Sequence, residues 1–237
     1  MPAEPSVSIV SEYAKTVLPL ETATLSEAFR YQSLPLCVID AVFSIGVKYD
    51  STRRVVIRYC DHTSQRRIRS STAQPPPEQQ ESMTTFCTRP EQSDVEQMAV
   101  QVYKNRQRTS TKAGILKAEA VLLFAQALRS FGIEYLQDVP QVADSNAFES
   151  VIRLIPGQRS GISLQYFWML AGSEAFVKPD RMVIRFLESA LGRPVGIAEA
   201  IGLLREASSQ LNTDFPNMNP RLLDHEVWKY QRSRPAA

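Results

Sequence analysis

The chain has 237 residues, 43% hydrophobic and 22% charged, with a net charge of +2. Its length exceeds the roughly 100–150 residues of one typical domain and falls short of two, and its composition is ordinary for a globular protein, so a mainly disordered chain is excluded and one domain of two lobes is expected. No run approaches the roughly 18 uncharged apolar residues of a membrane-crossing helix. The cysteines Cys37, Cys60 and Cys87 stand far apart, with only His62 and His225 to join them, so no disulfide framework, iron–sulfur cluster or well-supplied zinc site is expected. The opening Met1-Pro2-Ala3-Glu4-Pro5 lacks the basic and apolar regions of a signal peptide. The expectation is a soluble, reduced, cytoplasmic protein with no membrane association, no metal and no cofactor.

Residues 1–24, with their Pro, Ser and Thr content, read as an extended arm. Over 26–45 the apolar positions suit one or two short helices broken near Pro35. Residues 52–60 are ambiguous, because their β-branched run suits a strand and their context a helix. Residues 61–82 contain Pro75-Pro76-Pro77 and almost nothing apolar, which predicts a mobile loop. A short helix is expected from Asp94 to Tyr103. The strongest helical spacing runs over 112–131 and ends at Gly132. Another helix over 145–155 is stopped by Pro156-Gly157. Residues 161–171 are apolar on nearly every side and predict a buried helix, with helices to follow over 181–191, 197–211 and 220–231. Strand-like alternation never occurs twice in succession, so the fold class is all-α.

Charge is unevenly spread. Residues 51–112 carry eleven Lys or Arg against six acids, a local +5 that leaves −3 on the remainder. Such clustering is the electrostatic footprint of a polyanion binder, and it is equally what a solvated face with a basic loop at 62–69 produces.

The informative segment is Ile155-Pro156-Gly157-Gln158-Arg159-Ser160-Gly161, between two apolar helices. A helix, a Gly-bearing hairpin and a second helix aim backbone N–H groups in one direction, which makes a phosphate cradle, and the Arg159 side chain adds a charge-assisted contact. An ordinary interhelical turn has the same composition. Asp180 stands directly before an amphipathic helix, a favoured N-cap position, and capping alone accounts for it.

The order of these features carries further meaning. The "IPG" hairpin, an apolar helix, a short loop and then "VKPDRMVIRFL" resemble the helix-hairpin-helix DNA glycosylase superfamily, the group that includes endonuclease III. There the hairpin reads leucine-proline-glycine-x-glycine, and an aspartate after the next helix is catalytic. Asp180 falls on that aspartate, and Pro156-Gly157 on the first half of the hairpin. Weaker similarity extends over about residues 30–231, through "SLPLCVIDAVFSIGVKYDSTRRVVIRY", "TSTKAGILKAEAVLLFAQAL" and "RLLDHEVWKY". Arg159 replaces the second hairpin glycine, with Gly161 two residues on. The position of the family's lyase lysine aligns with Gly161, and the iron–sulfur cysteines are missing.

The resemblance implies a two-lobed all-α fold with a helix-hairpin-helix motif: a six-helix-type module over about 31–186, and a second lobe from the N-terminal segment with 190–237. It implies a monomer acting on double-stranded DNA as a monofunctional glycosylase, with Asp180 as the catalytic carboxylate. Pro156, Gly157, Gln158, Arg159, Ser160 and Gly161, joined by Lys178 and Arg181, would hold the DNA backbone. Tyr49 and Lys48, in the loop after the first apolar helix, are the candidates for the base pocket. Tyr166-Phe167-Trp168 reads as core, and the neighbours Asp224 and His225 read as structural. A DNA-binding member without base excision, and a helical protein-interaction module, are the competing readings.

Overall fold

Val7, Val10 and Ala14 lie three and four residues apart, and Pro5 needs no N–H partner in a first helical turn. Together they explain why the segment expected as an extended arm is instead helix α1, Glu4–Val17. The computed structural model describes residues 4–47 and 49–234, and all its regular elements are helical. After α1 come α2 (Leu34–Phe43), α3 (Tyr49–Thr63), α4 (Met83–Thr88), a short α5 (Val95–Gln97) continued by a π-turn, and α6 (Lys117–Ser130). The chain closes with α7 (Asn146–Leu154), α8 (Ile162–Leu170), α9 (Arg181–Leu191), α10 (Ile197–Leu211) and α11 (Pro220–Ser233). Among the described residues no strand forms, and Tyr31–Ile68 and Arg108–Leu116 are isolated antiparallel bridges. The all-α class is therefore confirmed, and among the described residues no helix is long and apolar enough to cross a membrane.

Pro35 sits in the first turn of α2 rather than breaking it, where its missing N–H costs nothing. The β-branched run at 52–60 is helical because Thr52, Val55, Val56, Tyr59 and Cys60 then share one buried face while Arg53 and Arg54 stay exposed. The helices expected over 145–155, 161–171, 181–191, 197–211 and 220–231 are α7 to α11, within a few residues at each end.

The chain divides into two compact units, Glu27–Gly172 and Met1–Ser26 with Ser173–Ala237. The boundary at 172/173 differs from the one expected near 186, and it assigns α9 to the unit that contains both ends of the chain. In the Glu27–Gly172 unit, α2 is buried along its whole length and packs on α3, α6 and α8. Phe124 lies 5.0 Å from Phe167, and Phe148 lies 5.7 Å from Trp168, between ring centroids. The aromatic run of α8 is thus core, as its apolar context predicts.

The segment 61–82 is tied down rather than mobile. Gln80 Nε2 donates to the Pro75 carbonyl at 2.6 Å and to Gln137 Oε1 at 2.8 Å, and Gln80 Oε1 accepts from the Leu136 N–H at 3.1 Å. Glu81, buried at its far end, accepts from the Tyr59 hydroxyl at 2.6 Å and from Arg89 Nε at 2.5 Å. Side-chain amides and one ion pair do here what apolar residues do elsewhere.

In the other unit, α1 packs on α9 and α10, and α11 packs on the same two helices. Val10, Phe186, Leu187, Leu203, Leu204 and Val227 are among its fully covered core residues. Each such side chain contributes on the order of 1.5–3 kcal/mol by leaving water.

Candidate nucleic-acid interface and carboxylate site

The hairpin belongs to the Glu27–Gly172 unit. Ile155 ends α7 in an extended conformation. Its carbonyl accepts from the Gln158 N–H at 2.9 Å, and the Gln158 carbonyl accepts from the Gly161 N–H at 2.9 Å, so two tight turns follow each other. Both need left-handed backbone, and glycine supplies it: φ is +90° at Gly157 and +74° at Gly161. Arg153, paired with Glu149 at 2.6 Å, donates from Nη1 to the Arg159 carbonyl at 2.6 Å and so fixes the outer turn to α7. The Ile155, Gln158 and Arg159 carbonyls are thus all taken by donors within the motif. The N–H groups of Gly157, Arg159 and Ser160 meet no acceptor among the described residues. Three backbone donors without acceptors thus stand beside the exposed Arg159 at the start of α8, a donor set of the kind that binds anionic oxygens.

Of the hairpin residues expected at DNA, Pro156, Gly157, Arg159 and Ser160 are exposed. Gln158 and Gly161 are buried, which corrects their placement as contact residues. The first turn points the Gln158 side chain inward, where its Oε1 accepts from the Ser163 hydroxyl; it anchors the hairpin from beneath.

Asp180, Lys178 and Arg181 lie in the other unit. Asp180 is the N-cap of α9, half-buried, with Oδ1 accepting from the N–H groups of Met182 at 2.8 Å and Val183 at 3.3 Å. Its Oδ2 has no hydrogen-bond partner among the described residues. Arg181 is exposed, and Lys178 is half-buried. The Lys178 N–H donates to Asp224 Oδ2 at 2.8 Å, and the Lys178 carbonyl accepts from the Asp180 N–H at 2.6 Å. The 178–180 backbone thus links the Asp180 cap to a second carboxyl on α11.

The sequence alone reads Asp224 and His225 as structural neighbours and gives no sign that this carboxyl is enclosed. Both are buried. Burial pushes the Asp224 carboxyl up to about 8, with the Asp180 charge adding to the rise, so it keeps its proton near neutral pH. Burial, followed by the charges of Lys229 and Arg221, pushes the His225 imidazole down to about 4, and the ring lies stacked 6.2 Å from Trp228. No sequence signal marks this burial: the run Arg221 to Val227 holds four polar or charged residues, and only the packing of α11 covers all seven.

Tyr49 starts α3, half-buried, with its ring 5.4 Å from that of Phe29. Lys48 lies outside the described residues. Among those residues no group of three or more His, Cys, Asp or Glu is placed to hold a metal ion.

These features define an all-helical chain of two units, one bearing an amide-rich hairpin and the other a capped carboxylate. It belongs to the family described as a domain of unknown function, DUF8548, whose model matches residues 8–232. No curated protein and no solved structure matches the chain.

Proposed function

We propose that this protein binds double-stranded DNA through the 155–161 hairpin and, as a monomer in the cytoplasm, excises a modified or damaged base by hydrolysing its N-glycosidic bond. The observation that carries the reading is the donor set of the hairpin: three amides without acceptors on exposed residues, held by two left-handed glycines, with Arg159 exposed among them. Such a surface binds phosphate oxygens without reading sequence, which suits an activity that must travel along DNA.

The chemistry assigned to Asp180 follows from its setting. A target base must leave the stack before its glycosidic bond is reachable. As that bond breaks, its electron pair leaves with the base and positive charge grows on the deoxyribose. A fixed carboxylate stabilises that charge, and the free Oδ2 of Asp180 can orient the attacking water while Oδ1 is held by the α9 amides. Water adds to the sugar carbon, and its proton passes to the departing base. Gly161 stands where a lyase lysine would be, so no Schiff base to the sugar forms.

One observation favours the competing reading of a DNA binder without excision: the two N–H bonds to Oδ1 account for Asp180 as a helix cap. Duplexes bearing uracil, 8-oxoguanine, alkylated purines, hypoxanthine or hypermodified bases, resolved with and without hot alkali, decide between the two. Alkali-dependent breaks are expected from the wild-type protein and none from Asp180→Asn, with duplex binding retained. Salt-sensitive binding without release from any duplex would leave Asp180 as a cap alone.

A further inference from the structure

We propose that the loop 107–116 is a second phosphodiester-binding element, continuous with the hairpin, so that the two together grip adjacent stretches of one DNA backbone. The inference rests on the DNA-binding reading above and extends it to residues outside the hairpin.

The loop is built like the hairpin. At its base the Thr109 N–H donates to the Ile115 carbonyl at 2.9 Å, and the Lys117 N–H donates to the Gln107 carbonyl at 2.8 Å. Inside, the Ser110 hydroxyl donates to the Lys112 carbonyl at 2.5 Å, and Arg108 Nη1 donates to the Gly114 carbonyl at 2.8 Å. Ala113 is left-handed at φ +53°. A Cβ on Gly114 would lie 2.4 Å from the Ser110 nitrogen, so the chain doubles back against itself. The Lys112, Gly114 and Ile115 carbonyls are taken by donors of the loop itself, and the amides of Ser110, Thr111 and Lys112 meet no acceptor among the described residues. Successive free amides in a tight turn with a left-handed residue make an anion-binding concavity.

Contact joins the loop to the hairpin. A Cβ on Gly157 would lie 2.4 Å from the Thr109 Cβ, so the hairpin backbone rests directly on Thr109. Two buried polar atoms, Thr109 Oγ1 at this contact and Gln158 Nε2 in the hairpin, have no hydrogen-bond partner among the described residues.

Charge completes the argument. No acid occurs from Gln97 to Ala118 or from Ser150 to Ser173. Arg106 and Arg153 are neutralised by Glu96 and Glu149, whereas Arg108, Lys112 and Arg159 are exposed and pair with no carboxylate among the described residues. Two adjacent amide cradles with separate unpaired cations suit the repeating charge of a nucleic-acid strand better than one small anion.

The test is the salt dependence of binding to a fluorescein-labelled duplex, followed by anisotropy from about 50 to 200 mM salt, where each phosphate contact adds about 0.9 to the logarithmic slope. Lys112→Ala and Arg159→Ala should each lower the slope by about 0.9, and the double variant by about twice that. Only the Lys112 carbonyl, not its side chain, is bonded among the described residues, so its variant should melt like the wild type. A slope unchanged by Lys112→Ala but lowered by Arg159→Ala would overturn the loop proposal and leave the hairpin reading standing. A wild-type protein that fails to bind duplexes, or a slope moved by neither variant, would overturn both.

Discussion

Asp224 and His225 are adjacent in sequence and respond to pH in opposite senses. The Asp224 carboxyl titrates near 8 in the folded protein against an ordinary 3.8, so the folded state keeps a proton that the unfolded chain releases. The associated stability is fully present below about pH 4 and is lost as pH rises toward 8. For His225 the folded value is about 4 against 6.5; its stability is present above 6.5 and is lost as pH falls toward 4. The two effects oppose each other between about 4 and 6.5, and Asp224 alone acts from 6.5 to 8. Asp224→Asn keeps an oxygen for the Lys178 N–H and has no proton to lose. Its unfolding free energy should therefore gain on the wild type as pH rises from 4 to 8, by at most about 1.4 kcal/mol per unit. Denaturant titrations at stepped pH measure this, and parallel curves would show that Asp224 is charged in the fold.

At the scale of elements, two left-handed glycines, Gly157 in the hairpin and Gly192 at the end of α9, are required in different ways. At Gly157 a side chain meets strain and collision together, because φ is +90° and the Thr109 Cβ would be 2.4 Å from the new methyl group. At Gly192, φ is +67° but nothing lies within 4 Å. Gly192→Ala should cost only the left-handed penalty of about 1–2 kcal/mol. Gly157→Ala should exceed it by about 1–3 kcal/mol, the usual range for overpacking. It should also weaken duplex binding, since the hairpin amides must move; equal melting shifts for the two variants would contradict the Thr109 contact. Lys117 shows the same dependence between elements. Its buried ammonium donates to the Phe43 and Ile45 carbonyls at 3.0 and 2.7 Å, completing the end of α2 from the start of α6. Burial pushes that ammonium down to about 8.

At the scale of the whole molecule, the first helix and the last three share one core. Val10 is completely covered, and Tyr13 lies 5.1 Å from Phe186 between ring centroids. Val10→Asp would bury a carboxylate with no partner in that core, which costs several kcal/mol. Amide exchange should accelerate in α9, α10 and α11 as well as in α1, even though about 160 residues separate α1 from α9. Protection lost only within α1 would mean that the N-terminal helix is not structurally required by the others.

Much of the local structure is written in the sequence. Apolar spacing places α7 through α11 and the end of α6, whose start lies at Lys117 rather than 112 because 107–116 folds as a tight loop. Gly132, Pro156-Gly157 and Asp180 mark ends or beginnings at the right places, because periodicity, caps and stops act within about one helical turn. The hairpin and the capping aspartate were legible for that reason. Tertiary structure decided what distant partners must decide: that the N-terminal segment is a helix with a core to join, that glutamine amides and Glu81 secure the proline-rich loop, and that Gln158 points inward. It also decided that Asp224 holds a proton, since burial and a neighbouring carboxylate set that equilibrium, and neither is a property of the residues beside it in the chain.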